Sequence, residues 1–193
     1  MESYELIDSD PSFNRVVRYM RFSDYASWIL GTAGAPGLLL LFEKLEPLEG
    51  KTFKMPLASL LRVSTTVGFI GGFLYAYSSS TKRFWGWTEN SKEVSKDRYE
   101  VKKLLSAKQS PWGKSRLSPY QQDMSSKNSQ NSQLLLSIFP WFNFTSHQNH
   151  GIDLRKYYEV RQGEEKWGFE LPPLEEVNDL AVGNQFKVYT NYP

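Results

Sequence analysis

The sequence has no cysteine among its 193 residues. A chain without thiols can form neither disulfides nor cysteine-ligated zinc and iron–sulfur centres, and it has no thiol nucleophile. An excess of charge of one sign is also missing, because 23 Lys and Arg residues stand against 21 Asp and Glu residues. Recognition of nucleic acid needs a concentrated basic surface. This near-neutral balance therefore argues against a nucleic-acid partner.

Catalytic motifs are equally scarce. The chain contains no Gly-rich phosphate loop followed by Lys and no G-x-S-x-G nucleophile elbow. Its two His residues, His147 and His150, are followed by Asp153, and three such side chains could ligate zinc. No Glu directly follows the first His to act as a base, and the spacing does not require a third ligand. We therefore predict no catalytic residue and no cofactor, and retain a metal site at these three residues only as an alternative.

The first ten residues do not have the composition of a targeting signal. They contain four acidic residues, whereas a secretory signal opens with positive charge and a transit peptide is poor in acids. Any organelle address is therefore expected to be internal and uncleaved. We interpret residues 1–24 as an N-terminal amphipathic or interfacial segment.

Two long apolar runs follow, although the mean hydropathy of the whole chain is only −0.50. Tyr25–Phe42 carries no charge, and Leu57–Tyr77 carries one, Arg62. As helices, runs of this length rise by about 27 Å and about 31 Å, which matches a hydrocarbon core of about 30 Å. The sequence therefore predicts a mainly α fold, with a transmembrane helical hairpin at residues 25–80 and an irregular, partly helical, extended second half at residues 81–193.

Polar residues around the hairpin are suited to the two bilayer surfaces. Arg62 lies about a turn and a half inside the second run, and its long side chain can extend to the interface. Lys82 and Arg83 follow that run and stand next to Trp85 and Trp87, which is typical of the aromatic belt where a helix leaves the bilayer. We assign these five residues to the membrane interface.

A hairpin places both termini on one side of the membrane. Three Lys or Arg residues precede the first run and four follow the second run closely, whereas the connecting loop carries three. Because Lys and Arg accumulate on the inside of a membrane, the termini are predicted to lie on that side.

Small residues recur at intervals of four along both runs. Gly31 and Ala35 share one helix face, as do Gly68 and Gly72, with Gly71 beside them. Small side chains at this spacing allow two helix backbones to approach closely. We predict that these five residues form helix-packing faces; the alternative is that Gly is simply common in membrane helices.

The second half is rich in aromatic residues and has little periodicity. Residues 89–108 have the apolar spacing of an amphipathic helix, but the tail from residue 151 shows no long period of either kind. The whole chain holds 6 Trp, 11 Tyr and 12 Phe residues, and such residues are favoured at protein contacts. A segment without an evident core of its own is expected to lie on partner subunits.

Four strings of the sequence are similar to those of a known family. They are Leu6–Pro11, Arg21–Tyr25, Phe84–Asn90 and Pro140–Phe144, the last followed by His147, His150, Gly151 and Asp153. In these strings and their order the chain resembles the fungal, and more distantly the plant, twenty-one-kilodalton accessory subunit of mitochondrial NADH:ubiquinone oxidoreductase, respiratory complex I.

The resemblance implies a multi-pass protein of the mitochondrial inner membrane that supports assembly or stability of the membrane arm of complex I. It implies contacts with core antiporter-like subunits, with neighbouring accessory subunits and with membrane lipids. It implies no catalytic residue and no cofactor, because redox chemistry in this complex belongs to core subunits. The inside of the membrane is then the matrix, with the intermembrane space as the other possible side for the termini.

Three other interpretations fit the same residues. An inner-membrane assembly factor or translocase component would have a similar hairpin. A small metal-dependent membrane enzyme would use His147, His150 and Asp153. A soluble helical protein would bury the two apolar runs as core helices.

Overall fold

The computed structural model describes residues 4–45, 56–113, 115–132, 142–144, 147 and 153–174. The helices are α1 (Phe13–Arg18), α2 (Phe22–Leu45), α3 (Leu57–Phe84), α4 (Ser91–Ser106) and α5 (Pro119–Ser132), and two short 3₁₀ helices cover Leu154–Tyr157 and Glu164–Trp167. These described ranges contain no β-strand. The predicted mainly α fold, with a partly irregular second half, is confirmed.

The two apolar runs form α2 and α3, and both helices are longer than the runs. α2 begins at Phe22, where the Asp24 carboxylate accepts a hydrogen bond of 2.7 Å from the Arg21 backbone N–H. An acidic side chain in the first turn that reaches back in this way satisfies an N–H that the helix leaves unpaired. α3 continues past Tyr77 to Phe84. Its length is about 42 Å, so its last turns project beyond a hydrocarbon core of about 30 Å.

The backbones of α2 and α3 approach most closely where both helices have small residues. A Cβ atom placed on Gly68 would lie 2.5 Å from the Gly31 carbonyl oxygen and 2.8 Å from Ala35 Cβ. A Cβ atom on Gly72 would also lie only 2.8 Å from backbone of α2. Gly71 differs, because a Cβ atom there would meet no atom within 4 Å. Gly68 and Gly72 therefore face α2, whereas Gly71 faces outward.

Trp28 packs across this contact from α2. Its indole N–H donates to the Phe69 carbonyl oxygen at 3.0 Å, and its ring centroid lies 4.9 Å from that of Phe73. Gly72 makes room for Trp28, since the nearest atom to a Cβ on Gly72 would be the Trp28 carbonyl oxygen. An aromatic side chain thus extends the small-residue contact toward the N-terminal end of α2.

The outer faces of the hairpin are apolar and uncovered. In each helix we consider the 18-residue stretch with the highest hydropathy. The buried share of that stretch is 0% in α2 and 11% in α3, whereas a core helix of a soluble protein would be mostly buried. In α2 and α3 the large apolar side chains that are at least half exposed are Phe22, Ile29, Leu30, Leu38, Leu41, Phe42, Leu45, Val63, Val67, Phe69, Ile70 and Tyr75. This exposure is what lipid contact requires and argues against the soluble alternative.

Segments before α2 and after α3 meet to form a folded unit, here called the head: residues 4–20, the last turns of α3, α4 and residues 153–174. One apolar cluster contains Ile7, Val16, Tyr19, Met20, Ala76, Tyr77, Phe84 and Val94. A second contains Val101, Leu105 and Tyr157, with Leu154, Tyr158 and Leu171 packed against it.

The head changes the expectation for the second half of the chain. Residues 154–171 pack against α4 of the same chain, although the sequence led us to expect a tail without a core of its own. The N-terminal segment, the end of α3, α4 and the tail each contribute only a few residues to the core. None of these contributions is long enough to show an apolar period in the sequence. The interfacial segment predicted at residues 1–24 likewise contributes Ile7 and Val16 to this core.

The close helix contact predicts different effects for two neighbouring glycines. Gly68→Ala should destabilise the chain by about 1–3 kcal/mol, because the new methyl group would overlap backbone atoms of α2. Gly71→Ala should be neutral or stabilising by up to about 1 kcal/mol, because Ala favours helix and has free space there. Chemical unfolding of the full chain in mild detergent measures both. Equal effects of the two substitutions would refute the packing face.

Candidate functional site

The N-terminal arm, residues 4–12, lies along the end of α3. The Tyr4 N–H donates to the Gly86 carbonyl oxygen at 3.1 Å, and the Ile7 N–H donates to the Phe84 carbonyl oxygen at 2.9 Å. Gly86 has φ of 70°, a left-handed conformation that only Gly adopts without strain. The Asn90 side chain donates to one carbonyl of the arm and one of α3, at 2.7 and 2.8 Å. The chain leaving α3 is thus fastened to the arm.

Five charged residues, here called the boundary network, join the hairpin to α4: Arg21, Asp24, Arg83, Glu89 and Glu93. Arg83 forms a bidentate pair with Asp24, and its Nε lies 3.1 Å from Glu93 Oε1. Arg21 Nε donates to the same Glu93 oxygen at 2.6 Å and Arg21 also pairs with Glu89 at 2.9 Å. The side chains of Arg83, Asp24 and Glu93 are only 6%, 4% and 5% exposed.

Burial explains why these charges must be paired. An isolated buried charge costs several kcal/mol, and removal of one partner of a buried pair is strongly destabilising. Asp24 begins α2, Arg83 ends α3 and Glu93 begins α4. The boundary network therefore fixes three helix ends at one point, just beyond the apolar part of the hairpin. Its exposed edge holds Glu89, whose pKa is lowered to about 2 by its hydrogen bonds from Ser91 and Arg21.

The residues assigned to the membrane interface occupy different environments. Arg83 is buried in the boundary network, whereas Lys82 is exposed. Trp87 is 59% exposed and its ring centroid lies 4.9 Å from that of the partly buried Trp85. Arg62 lies exposed near the opposite end of α3.

A second set of charges lies deeper in the head. Arg15 of α1 donates to Asp8 at 2.6 Å and also pairs with Asp97 of α4. The Tyr157 hydroxyl donates to the other Asp97 oxygen at 2.7 Å. Burial raises the pKa of Asp97, and Arg15 and Tyr157 oppose that rise. Burial and the Asp97 charge raise the pKa of Tyr157. Arg15 thus connects the arm, α1, α4 and the tail.

A third set, here called the tail clamp, consists of Arg98, Lys102 and Glu164. Arg98 pairs with Glu164, and Lys102 Nζ lies 2.6 Å from Glu164 Oε2. Arg98 also donates to the carbonyl oxygens of Lys156 and Glu159 at 2.7 and 2.6 Å. The hydrogen bond from Arg98, together with that from Lys102, lowers the pKa of Glu164 to about 2. These contacts hold the tail on α4.

The alternative metal ligands have other contacts in the structure. His147 Nε2 lies 2.6 Å from Asp10 Oδ2 of the arm, and both side chains are buried. Asp153 accepts a hydrogen bond of 2.9 Å from the Arg155 N–H at the start of a 3₁₀ helix. His150 lies outside the described residues. Within the described residues no group of three or more His, Cys, Asp or Glu side chains could hold a metal ion.

Paired charge is the dominant feature of the head. Glu5 contacts Arg161 at 2.7 Å and Arg18 contacts Glu100 at 2.7 Å, which adds two more links between the N-terminal segment and later parts of the chain. Sequence reasoning did not find these pairs. The available signal was the pair of Arg15 and Arg18, whose spacing of three places them on one side of α1, facing Asp97 and Glu100 of α4.

Comparison with known proteins identifies the family. The family model described as "NADH-ubiquinone oxidoreductase complex I, 21 kDa subunit" matches residues 1–89, and that described as "C-terminal of NADH-ubiquinone oxidoreductase 21 kDa subunit" matches residues 98–185. The "NADH-ubiquinone oxidoreductase 20.9 kDa subunit" of Neurospora crassa is 43% identical over 162 residues, which cover 84% of this chain and 85% of the relative. The chain belongs to the 21 kDa subunit family of complex I.

This membership confirms the resemblance that four short strings indicated. The first matched region ends just before α4 and the second begins inside it, and both contribute to the head. His147 reaches Asp10, and Lys156 Nζ donates to the Leu6 carbonyl oxygen at 3.0 Å. Contacts between the two regions are therefore part of the subunit fold.

The tail clamp predicts a pH dependence. Glu164 has a pKa of about 2 in the folded chain against an ordinary 4.5, so it stabilises the folded tail above about pH 4.5 and loses that effect as the pH falls toward 2. Glu164→Gln should lower hydrogen-exchange protection of residues 154–171 at pH 7, and the difference from the unsubstituted chain should shrink below about pH 4.5 and be lost below about pH 2. Protection factors corrected for the intrinsic rate at each pH measure this.

The neighbouring exposed residue Glu165 provides the matched control. Glu165→Gln removes one negative charge from the same 3₁₀ helix and leaves the ion pairs between Glu164 and α4 intact. It should leave the hydrogen-exchange protection of the tail unchanged. Equal loss in both variants would mean that net charge, and not the tail clamp, holds the tail.

Proposed function

We propose that this protein is a non-catalytic accessory subunit that supports assembly or stability of the membrane arm of mitochondrial complex I. The observation that carries the proposal is the joining of a membrane-length hairpin to a charge-locked head. Such a unit presents fixed surfaces to its neighbours in two environments, lipid and water. Electron transfer and proton translocation would then be carried by other subunits.

The hairpin supplies the membrane contacts in this proposal. Its outer faces are apolar along their length, as is suited to lipids and to helices of core antiporter-like or neighbouring accessory subunits. Gly34, Gly37 and Gly71 face outward with no atom within 4 Å of a Cβ position. Outward small residues leave room for the close approach of a second helix. The inner membrane of the mitochondrion is the corresponding location.

The head supports a topology with both termini on one side. Arg15 precedes α2 in the chain and Asp97 follows α3, yet the two side chains are paired. Glu5 and Arg161 are paired in the same way. These pairs support a shared compartment for the segments before and after the hairpin. The excess of Lys and Arg on that side favours the matrix, and the intermembrane space is the other outcome of the test below.

A structural role accounts for the buried ionisable residues. Asp8, Asp97, Arg98 and Glu164 all have partners that hold segments of the head together. His147 contacts Asp10 in the same interior, so the small metal-dependent enzyme is not supported by a specific observation. An assembly factor or translocase component would have the same hairpin. It would differ from an accessory subunit in not remaining with the mature complex.

Deletion of the gene, followed by complementation with a copy tagged at both ends, tests the proposal. We expect the deletion to lower the amount of intact complex I on native gels, and the tagged protein to restore it. The tagged protein should migrate with the band that has NADH dehydrogenase activity. In mitochondria with a ruptured outer membrane, both tags should show the same protection from added protease.

Several results would refute this account. Normal amounts of fully active complex I in the deletion strain would remove the assembly or stability role. A tagged protein found only with partial assemblies would identify an assembly factor. Opposite protease sensitivity of the two tags would contradict the hairpin topology.

A further inference from the structure

Arg62 is the one charged residue of α3 before Lys82. It lies in the second turn of α3 with its side chain exposed, and the described residues offer that side chain no ion pair or hydrogen bond. On the same helix face Ala58, Thr65 and Thr66 are also exposed, and Val63 and Val67 on the adjoining face are 54% and 62% exposed. The nearby Thr66 hydroxyl is engaged, because it donates to the Arg62 backbone carbonyl at 2.9 Å. A charge in this setting requires an external anion or water.

The head fixes the depth of Arg62 in a bilayer. Ala76 and Tyr77 are packed in the apolar cluster of the head, whereas Tyr75 is 68% exposed, so the hydrocarbon region ends near Tyr75 on the head side. Arg62 lies about 20 Å along α3 from Tyr75. A hydrocarbon core of about 30 Å therefore leaves Arg62 within about 10 Å of the opposite surface.

The direction of the side chain brings the guanidinium closer to that surface. Side chains on a helix tilt toward its N-terminus, and the N-terminus of α3 is the end at the opposite surface. Ala58, one turn earlier on the same face, is small and exposed, so the Arg62 side chain can lie over it. The start of α3 has no side-chain cap at Pro56, and its unpaired N–H groups and helix dipole add to the attraction for an anion.

We propose that Arg62 binds the phosphate of a phospholipid headgroup in the leaflet opposite the head. This inference rests on the proposed function only for the membrane location of the hairpin. Phosphates of that leaflet lie at the depth that the guanidinium reaches, and Arg is suited to bidentate contact with phosphate oxygens. The loop between α2 and α3 has equal numbers of Lys and Glu residues. The site therefore selects for the phosphate shared by all phospholipids and not for an additional headgroup charge.

Native mass spectrometry of the full chain, released from maltoside micelles, provides the test. Phosphatidylcholine is the probe, and digalactosyl diacylglycerol is the matched lipid without phosphate. We expect the unsubstituted chain to retain phosphatidylcholine in preference to the glycolipid. Arg62→Gln should reduce phosphatidylcholine retention roughly tenfold, as loss of one charge-assisted contact implies, and should leave glycolipid retention unchanged.

Two further variants control for net charge and folding. Arg155→Gln makes the same chemical change at an exposed position in the head and should retain phosphatidylcholine like the unsubstituted chain. Arg62→Lys should keep part of the preference, because the charge remains. Circular dichroism establishes equal helical content in all variants.

Unchanged phosphatidylcholine retention in Arg62→Gln would overturn the proposal. If that variant retained the lipid but loosened the subunit from complex I on native gels, the partner of Arg62 would be a carboxylate of another subunit. Release of the unsubstituted chain from membranes by alkaline carbonate would instead overturn the membrane location and the proposed function with it.

Discussion

Asp24 and Arg83 lie on different helices of the hairpin, one at the start of α2 and the other at the end of α3, and their buried ion pair sets the geometry of everything beyond the membrane. The pair aligns the two helix ends, and Glu93 and Arg21 extend it to α4 and to the chain entering α2. A buried pair of this kind adds little net stability over an apolar replacement, but a broken pair is costly. Its effect is therefore to disfavour any arrangement in which the helix ends slide or separate.

The same constraint connects the membrane part of the subunit to its head. The backbones of α2 and α3 are so close at Gly68 and Gly72 that sliding one helix along the other would cause steric overlap. The boundary network fixes the register of the two helices at one end. The Arg15 pairs and the tail clamp then order the arm and the tail around α4. A body fixed in this way has the defined shape that the proposed supporting role requires.

The hairpin and the family were predictable because their signals are local in sequence. Two apolar runs of membrane length, with one charge between them, identify the helices, and short strings identify the family. The head was not predictable, since its contacts join residues as far apart as Arg15 and Asp97 or Asp10 and His147. Arg83 was recognisable from the sequence only as an interfacial cation. Gly68 and Gly71 also look alike in the sequence, because which of them faces α2 depends on where α2 lies.

A double-mutant cycle on Asp24 and Arg83 tests the central claim most directly. Asp24→Asn preserves side-chain size, and Arg83→Gln replaces the guanidinium with a shorter neutral amide. The free energy of unfolding of each variant and of the double variant can be measured for the full chain in mild detergent. The account predicts that each single substitution costs about 3–5 kcal/mol, and that the double substitution costs at least about 1 kcal/mol less than the sum. Additive costs, or single costs below about 0.5 kcal/mol, would show that the helix ends are held by something other than this ion pair.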